Sequence, residues 1–133
     1  MPQIPYQAPS SRGQMLTIDL LQKVNQIDGH WDQRVIAEMN DYQFKVAKIE
    51  GEFVWHQHAE TDETFIVLEG ELRIDFRDGS IQLRAGQMAV VPKGVEHKPF
   101  AATEAKILLI EPRGVINTGD ATDARGKLTD AWI

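Results

Sequence analysis

Two stretches decide the reading of this chain. The first is Gly51-Glu52-Phe53-Val54-Trp55-His56-Gln57-His58, followed after four residues by Glu63. The second is Gly86-Gln87-Met88-Ala89-Val90-Val91-Pro92-Lys93-Gly94-Val95-Glu96-His97. Three of the four histidines fall in these stretches, and only His30 lies outside. His-x-His puts two imidazoles on one face of a strand, because strand side chains alternate with period two. Imidazole and carboxylate together suit Mn, Fe, Co, Ni, Cu or Zn. His56, His58, Glu63 and His97 are therefore the candidate ligands of a mononuclear metal site. A lone histidine in a strand is usually a satisfied or solvent-facing side chain. Two glycine-bounded stretches supplying four ligand-type residues are far more specific. Glu60 and Asp62 read as solvated loop charges that make the mouth of such a site attractive to cations. His30 reads as structural or surface.

The surrounding sequence is short strands. Arg34–Met39, Gln43–Ile49, Phe53–His58, Thr64–Glu69, Glu71–Phe76, Ser80–Arg84, Gln87–Val91, His97–Phe100 and Lys106–Ile110 are the expected strands, separated by Gly, Pro, Asn and Asp. Asp78-Gly79 signals a hairpin. This pattern predicts an all-β sandwich or barrel. Leu16, Leu20, Leu21, Val24 and Ile27 recur at helical spacing, predicting a short amphipathic helix over 16–27 with Asp19 in its first turn and Asp28-Gly29 at its end. Residues 1–15 read as an arm, 16–111 as one barrel domain with its helix, and 112–133 as a tail that either lies along the body or is disordered. Trp132 and Ile133 are candidates to anchor its end.

Strand parity gives an expected lining. Val54 should share the face of His56 and His58, with Phe53, Trp55 and Gln57 opposite. Glu63, Phe65 and Val67 share a face, and Met88 and Val90 or their neighbours are expected to line the same interior. Phe53, Trp55, Ile66 and Leu68 then need a second layer, either the helix or a partner subunit. The parity of Lys45, Lys48 and Arg84 leaves them open as anion handles.

Composition excludes several classes. The chain has 133 residues and a formal charge of −6, which disfavours nucleic acid and anionic membrane surfaces. It has no cysteine, so thiolate metal sites, disulfides and cysteine nucleophiles are excluded. No secretory signal is read at the N-terminus, and no apolar run approaches the ~20 residues of a transmembrane helix. A cytoplasmic protein is the expectation.

Gly51, His56, His58, Glu63 and Gly70 resemble the first motif of the cupin superfamily, with one residue fewer after Gly51. Gly86, Pro92, Gly94 and His97 resemble the second without a gap. Ala101 stands where that motif ends in Asn, a residue that is not a ligand in the family. The chain is similar to small single-domain cupins labelled mannose-6-phosphate isomerase-like, a label that describes fold. The resemblance implies a double-stranded β-helix, or jelly-roll barrel, holding one divalent ion (Fe, Mn, Ni, Zn or Cu) through His56, His58, Glu63 and His97. It also implies a homodimer. Glu63 is either a permanent ligand or a catalytic base. Three classes stay open: a metal-dependent oxygenase or isomerase acting on a small organic molecule, a non-catalytic metal-dependent binding or sensing protein, and a barrel with a purely structural ion. The mostly apolar lining suits a modest apolar or aromatic ligand rather than a sugar phosphate.

Overall fold

The computed structural model describes residues 15–133. The expected arm over 1–15 lies outside them except for Met15. One short helix, α1 (Leu20–Asn25), precedes seven strands: β1 (Arg34–Met39), β2 (Tyr42–Glu52), β3 (Glu63–Glu69), β4 (Glu71–Phe76), β5 (Gly79–Arg84), β6 (Met88–Val91) and β7 (His97–Pro112). All strand pairings are antiparallel. The main sheet runs β1-β2-β7-β3-β6, while β4 pairs with both β5 and β7. The result is a jelly-roll β-barrel with a short helix, an all-β fold as the strand pattern predicts and the architecture the family resemblance implies.

β7 closes the barrel. Its first residues pair with β4, from Phe76↔His97 to Arg73↔Phe100. Its last residues pair with β3, from Glu69↔Lys106 to Thr64↔Ile110. β2 runs beside it from Tyr42↔Pro112 to Glu52↔Phe100. The sequence pattern expects two strands here, 97–100 and 106–110. The intervening Ala102, Thr103 and Glu104 are exposed and carry no apolar signal, yet the backbone ladder to β2 continues past them.

Alternation along β2, β3 and β7 sends Ala47, Ile49, Phe65, Val67, Ile107 and Leu109 into the barrel, where they pack with Leu72, Ile74 and Leu83. The opposite face carries Val46, Ile66, Leu68 and Leu108, covered by Val24 and Ile27 of the helix region and by Ile133. For Ile66 and Leu68 the second layer therefore comes from the chain itself. The helix is shorter than predicted, because Asp19 is its cap rather than a first-turn residue. The Asp19 side chain accepts from Gln22 N–H at 3.0 Å.

Residues 113–133 lie against the body. Asn117, Thr118 and Thr129 are buried. Asn117 donates from its side-chain amide to Arg125 O and accepts from Lys127 N–H, folding this segment on itself. Ile133 N–H donates to Val35 O, and Ile133 O accepts from Lys23 Nζ, tying the chain end to β1 and α1.

Two lining expectations are corrected. Met88 and Val90 are exposed, at 56% and 51%, because β6 is an edge strand and these residues face outward. Phe53 points inward with His56 rather than away from it. The segment 53–58 is not a regular strand. Between Glu52↔Phe100 at the end of β2 and the isolated His56↔His97 bridge, this segment advances four residues against three of β7. An irregularity of this kind inverts the parity on which a face assignment rests. Trp55, the other residue expected to need a partner, lies half-buried beneath Arg77, whose guanidinium carbon is 3.9 Å from the ring centroid.

Candidate metal centre

Four backbone features converge on one point inside the barrel. Glu63 opens β3 and His97 opens β7. His56 sits opposite His97, each donating its N–H to the other's carbonyl at 3.0 and 2.9 Å. His58 is held through its carbonyl, which accepts from Gly94 N–H at 2.9 Å. One donor atom from each of His56, His58, Glu63 and His97 can be chosen so that all lie within 4.8 Å of one another, and all four residues are buried. The structure thus brings together every ligand candidate read from the sequence. His30 is elsewhere, on the surface against Glu104 at 2.8 Å.

The hydrogen bonds orient the rings. His56 Nδ1 lies 2.8 Å from Val54 O, and His97 Nδ1 lies 2.9 Å from Val95 O. A carbonyl only accepts, so each Nδ1 carries the proton and each neutral ring has a bare lone pair on Nε2. The Nε2 of His97 lies 3.2 Å from Glu63 Oε1, itself an acceptor. His58 Nε2 approaches the same oxygen at 3.3 Å but off the line a hydrogen bond needs, so it is a charge contact and leaves this buried nitrogen without a hydrogen-bond partner among the described residues. Lone pairs crowded around one carboxylate oxygen in a dry interior repel unless a proton or a metal cation lies among them. A divalent ion fits this donor set, and the Nδ1–H bonds are the orienting contacts that ligating histidines use.

Burial, with the neighbouring imidazole of His97, lowers the His56 pKa to about 4, so His56 is neutral at pH 7. Burial also disfavours a charged His58, but the Glu63 carboxylate outweighs it and raises that pKa. Burial alone would raise Glu63, yet its contacts with His58 and His97 hold the carboxyl well below the usual range.

Several residues at the site carry no sequence signal of their own. Lys45 and Glu111 are fully buried and paired at 2.7 Å, and Lys45 Nζ also donates to Thr129 Oγ1 at 2.5 Å. This removes Lys45 from the possible anion handles. Glu111 lies one register step beyond the Thr64↔Ile110 pair, opposite Glu63. Burial, with the nearby Glu63 charge, raises its pKa to about 7 despite Lys45. A narrow cavity lies beside His56 and Glu63, walled by Trp31, Phe53, Phe65, Ile107 and Leu109 and flanked by Gln33 and Asn117. Trp31 and Phe53 stack with ring centroids 4.8 Å apart. The side-chain amide of Asn117 is committed within the tail, whereas Gln33 Oε1 is buried with no hydrogen-bond partner among the described residues.

A fold of this kind with this site defines a cupin, and the comparisons agree. Residues 43–111 match the family model described as a cupin domain, and the chain belongs to that family. The uncharacterized protein YdbB of Bacillus subtilis is 37% identical over 94 residues, covering 70% of this chain and 83% of YdbB. The crystal structure of a cupin-2 domain containing protein from Shewanella frigidimarina shares 61% identity and superposes with a TM-score of 0.73, covering 76% of this chain and 99% of that one. Protein NMB1881 from Neisseria meningitidis shares 37% identity at a TM-score of 0.67, covering 72% and 98% of the two chains.

Proposed function

We propose that this cupin is a cytoplasmic metal-dependent enzyme of oxygenase or isomerase type. It would act on a small neutral molecule, with one divalent ion held by His56, His58, Glu63 and His97. The observation that carries this reading is the convergence of three imidazoles and one carboxylate, two of the rings fixed by Nδ1–H bonds, beside an apolar cavity. A bound ion there polarises a carbonyl, acidifies water or orients reactants. The chain's own residues do the rest. Phe53, Phe65, Ile107 and Leu109 exclude water from one side of the site. Glu63, the only carboxylate among the four, holds its negative charge at the centre and is the candidate base.

The cavity wall supports the ligand class. Among the described residues no Lys or Arg lines it, so none of them there recognises a phosphate. A mannose-6-phosphate isomerase-like activity on a sugar phosphate is therefore less favoured than turnover of an uncharged apolar or aromatic compound. Gln33 Oε1 offers that compound a hydrogen-bond acceptor.

The test is a panel of small phenols, diketones and hydroxy-ketones assayed for oxygen uptake and for isomerisation, with iron- and manganese-loaded protein. Turnover that is lost in His97→Ala supports the proposal. Metal-dependent binding of panel compounds without turnover would instead make the protein a binding or sensing module. The homodimer is proposed through β6, which pairs only with β3 among the described residues and carries the exposed Met88 and Val90. A monomer mass in solution scattering at micromolar concentration refutes it.

A further inference from the structure

We propose that the C-terminal segment positions the His56–His58 ligand pair through Gly119 and Asp120, making it part of the metal centre rather than packing alone. The inference rests on the metal-binding reading above.

The segment carrying the two histidines lies outside any regular strand, so its backbone needs other partners. Three consecutive residues are each fixed by a different part of the chain. His56 is fixed by His97, and His58 by Gly94. Gln57, between the two ligands, is fixed by Asp120. The Gln57 N–H donates to Asp120 Oδ1 at 2.9 Å, and the Gln57 carbonyl accepts from Asp120 N–H at 3.1 Å. One residue far along the chain thus holds both polar groups of the backbone between the imidazoles.

The approach is close enough to dictate a glycine. Gly119 has φ +56, and a Cβ there would lie 2.9 Å from the Gln57 carbonyl carbon and 3.2 Å from His56 Cδ2. Both the backbone conformation and the space therefore select glycine. The turn carrying it is itself anchored. Gly119 N–H donates to Ile116 O at 2.9 Å, Thr118 is buried, and Asn117 ties the turn to residues 125–127. Without the Asp120 carboxylate the Gln57 N–H loses its acceptor, and the peptide between His56 and Gln57 is held only through the His97 N–H on the His56 carbonyl, which leaves it room to tilt the histidines on both sides of it. Contacts of this kind, which orient ligands without touching the ion, are worth about 10–100-fold in metal affinity.

The experiment is calorimetric titration of apo full-length protein with cobalt(II), whose visible spectrum also reports ligand geometry. Three variants are compared with the wild type: Gly119→Ala, Asp120→Ala and Asp120→Asn. Asp120→Asn keeps an oxygen acceptor for Gln57 N–H but removes the charge. Positioning predicts that Asp120→Ala weakens cobalt binding by about tenfold or more and alters the spectrum, with Gly119→Ala doing the same if it folds. Asp120→Asn should bind like the wild type. Wild-type affinity and spectrum in Asp120→Ala overturn the proposal, even if its apo melting temperature falls. Equal weakening in Asp120→Asn and Asp120→Ala also overturns it, by assigning the effect to charge. Absence of cobalt binding by the wild type would instead refute the metal-centre reading itself.

Discussion

Lys45→Met is the most informative perturbation of the barrel interior. Lys45 is wholly buried, and its ammonium contacts Glu111 Oε2 at 2.7 Å and Thr129 Oγ1. Glu111 Oε1 already lacks a hydrogen-bond partner, so removing Lys45 strips the carboxylate of its cation. Breaking a buried pair in this way costs about 3–5 kcal/mol. The cost depends on pH. The folded-state pKa of Glu111, about 7, lies above its ordinary 4.5. Its stabilising contribution is therefore fully present below pH 4.5 and is lost as pH rises through 7. Without Lys45 that pKa moves higher still. Below pH 5 the carboxyl is neutral, and the variant should lose only hydrogen bonds, about 1–2 kcal/mol. Urea unfolding of apo protein at pH 5 and pH 8 measures both. A destabilisation of about 3 kcal/mol or more at pH 8 that shrinks at pH 5 is expected. Lys45→Met/Glu111→Gln should recover most of the loss at pH 8. A loss under about 1 kcal/mol at pH 8, or an equal loss at both pH values, would refute the reasoning.

Other outcomes follow from the same structure. His56→Ala, His58→Ala and His97→Ala should each remove most bound metal, measured by elemental analysis, while circular dichroism still shows a folded barrel. Metal binds the folded state, so a hundredfold excess over Kd should stabilise the wild type by about 2.7 kcal/mol and raise its melting temperature, with no rise in His97→Ala. Asp19→Ala removes the cap that accepts from Gln22 N–H and should cost about 1 kcal/mol in denaturant unfolding without changing metal content.

The four converging residues were legible because their chemistry is unusual and their spacing is local. His56-Gln57-His58, Glu63 and His97 needed only chain order and two glycine-bounded turns to be read together. The β4–β5 hairpin was equally plain, since alternation in Leu72, Ile74 and Phe76 runs straight into Asp78-Gly79, and the register Phe76↔Gly79 closes it. Phe53 shares the inward side with His56 because the chain gains one residue on β7 between Glu52 and His56, an offset that strict alternation does not show. Lys45 and Glu111 were hidden for a different reason. Each sits at an inward parity beside Ala47 or Leu109, but a charged side chain reads as solvent-facing until its partner strand is known. The roles of Gln57, Gly119 and Asp120 depend on a contact between residues over sixty positions apart, and nothing local announces it. The edge position of β6 likewise comes from sheet order, which is why Met88 and Val90 looked like lining.

Metal content tests the central claim most directly. Untagged protein purified without chelators should carry, or take up on reconstitution, one equivalent of a divalent first-row ion, and His97→Ala should carry almost none. Wild-type protein that neither contains nor binds such an ion, or a His97→Ala variant that retains it in full, would contradict the account.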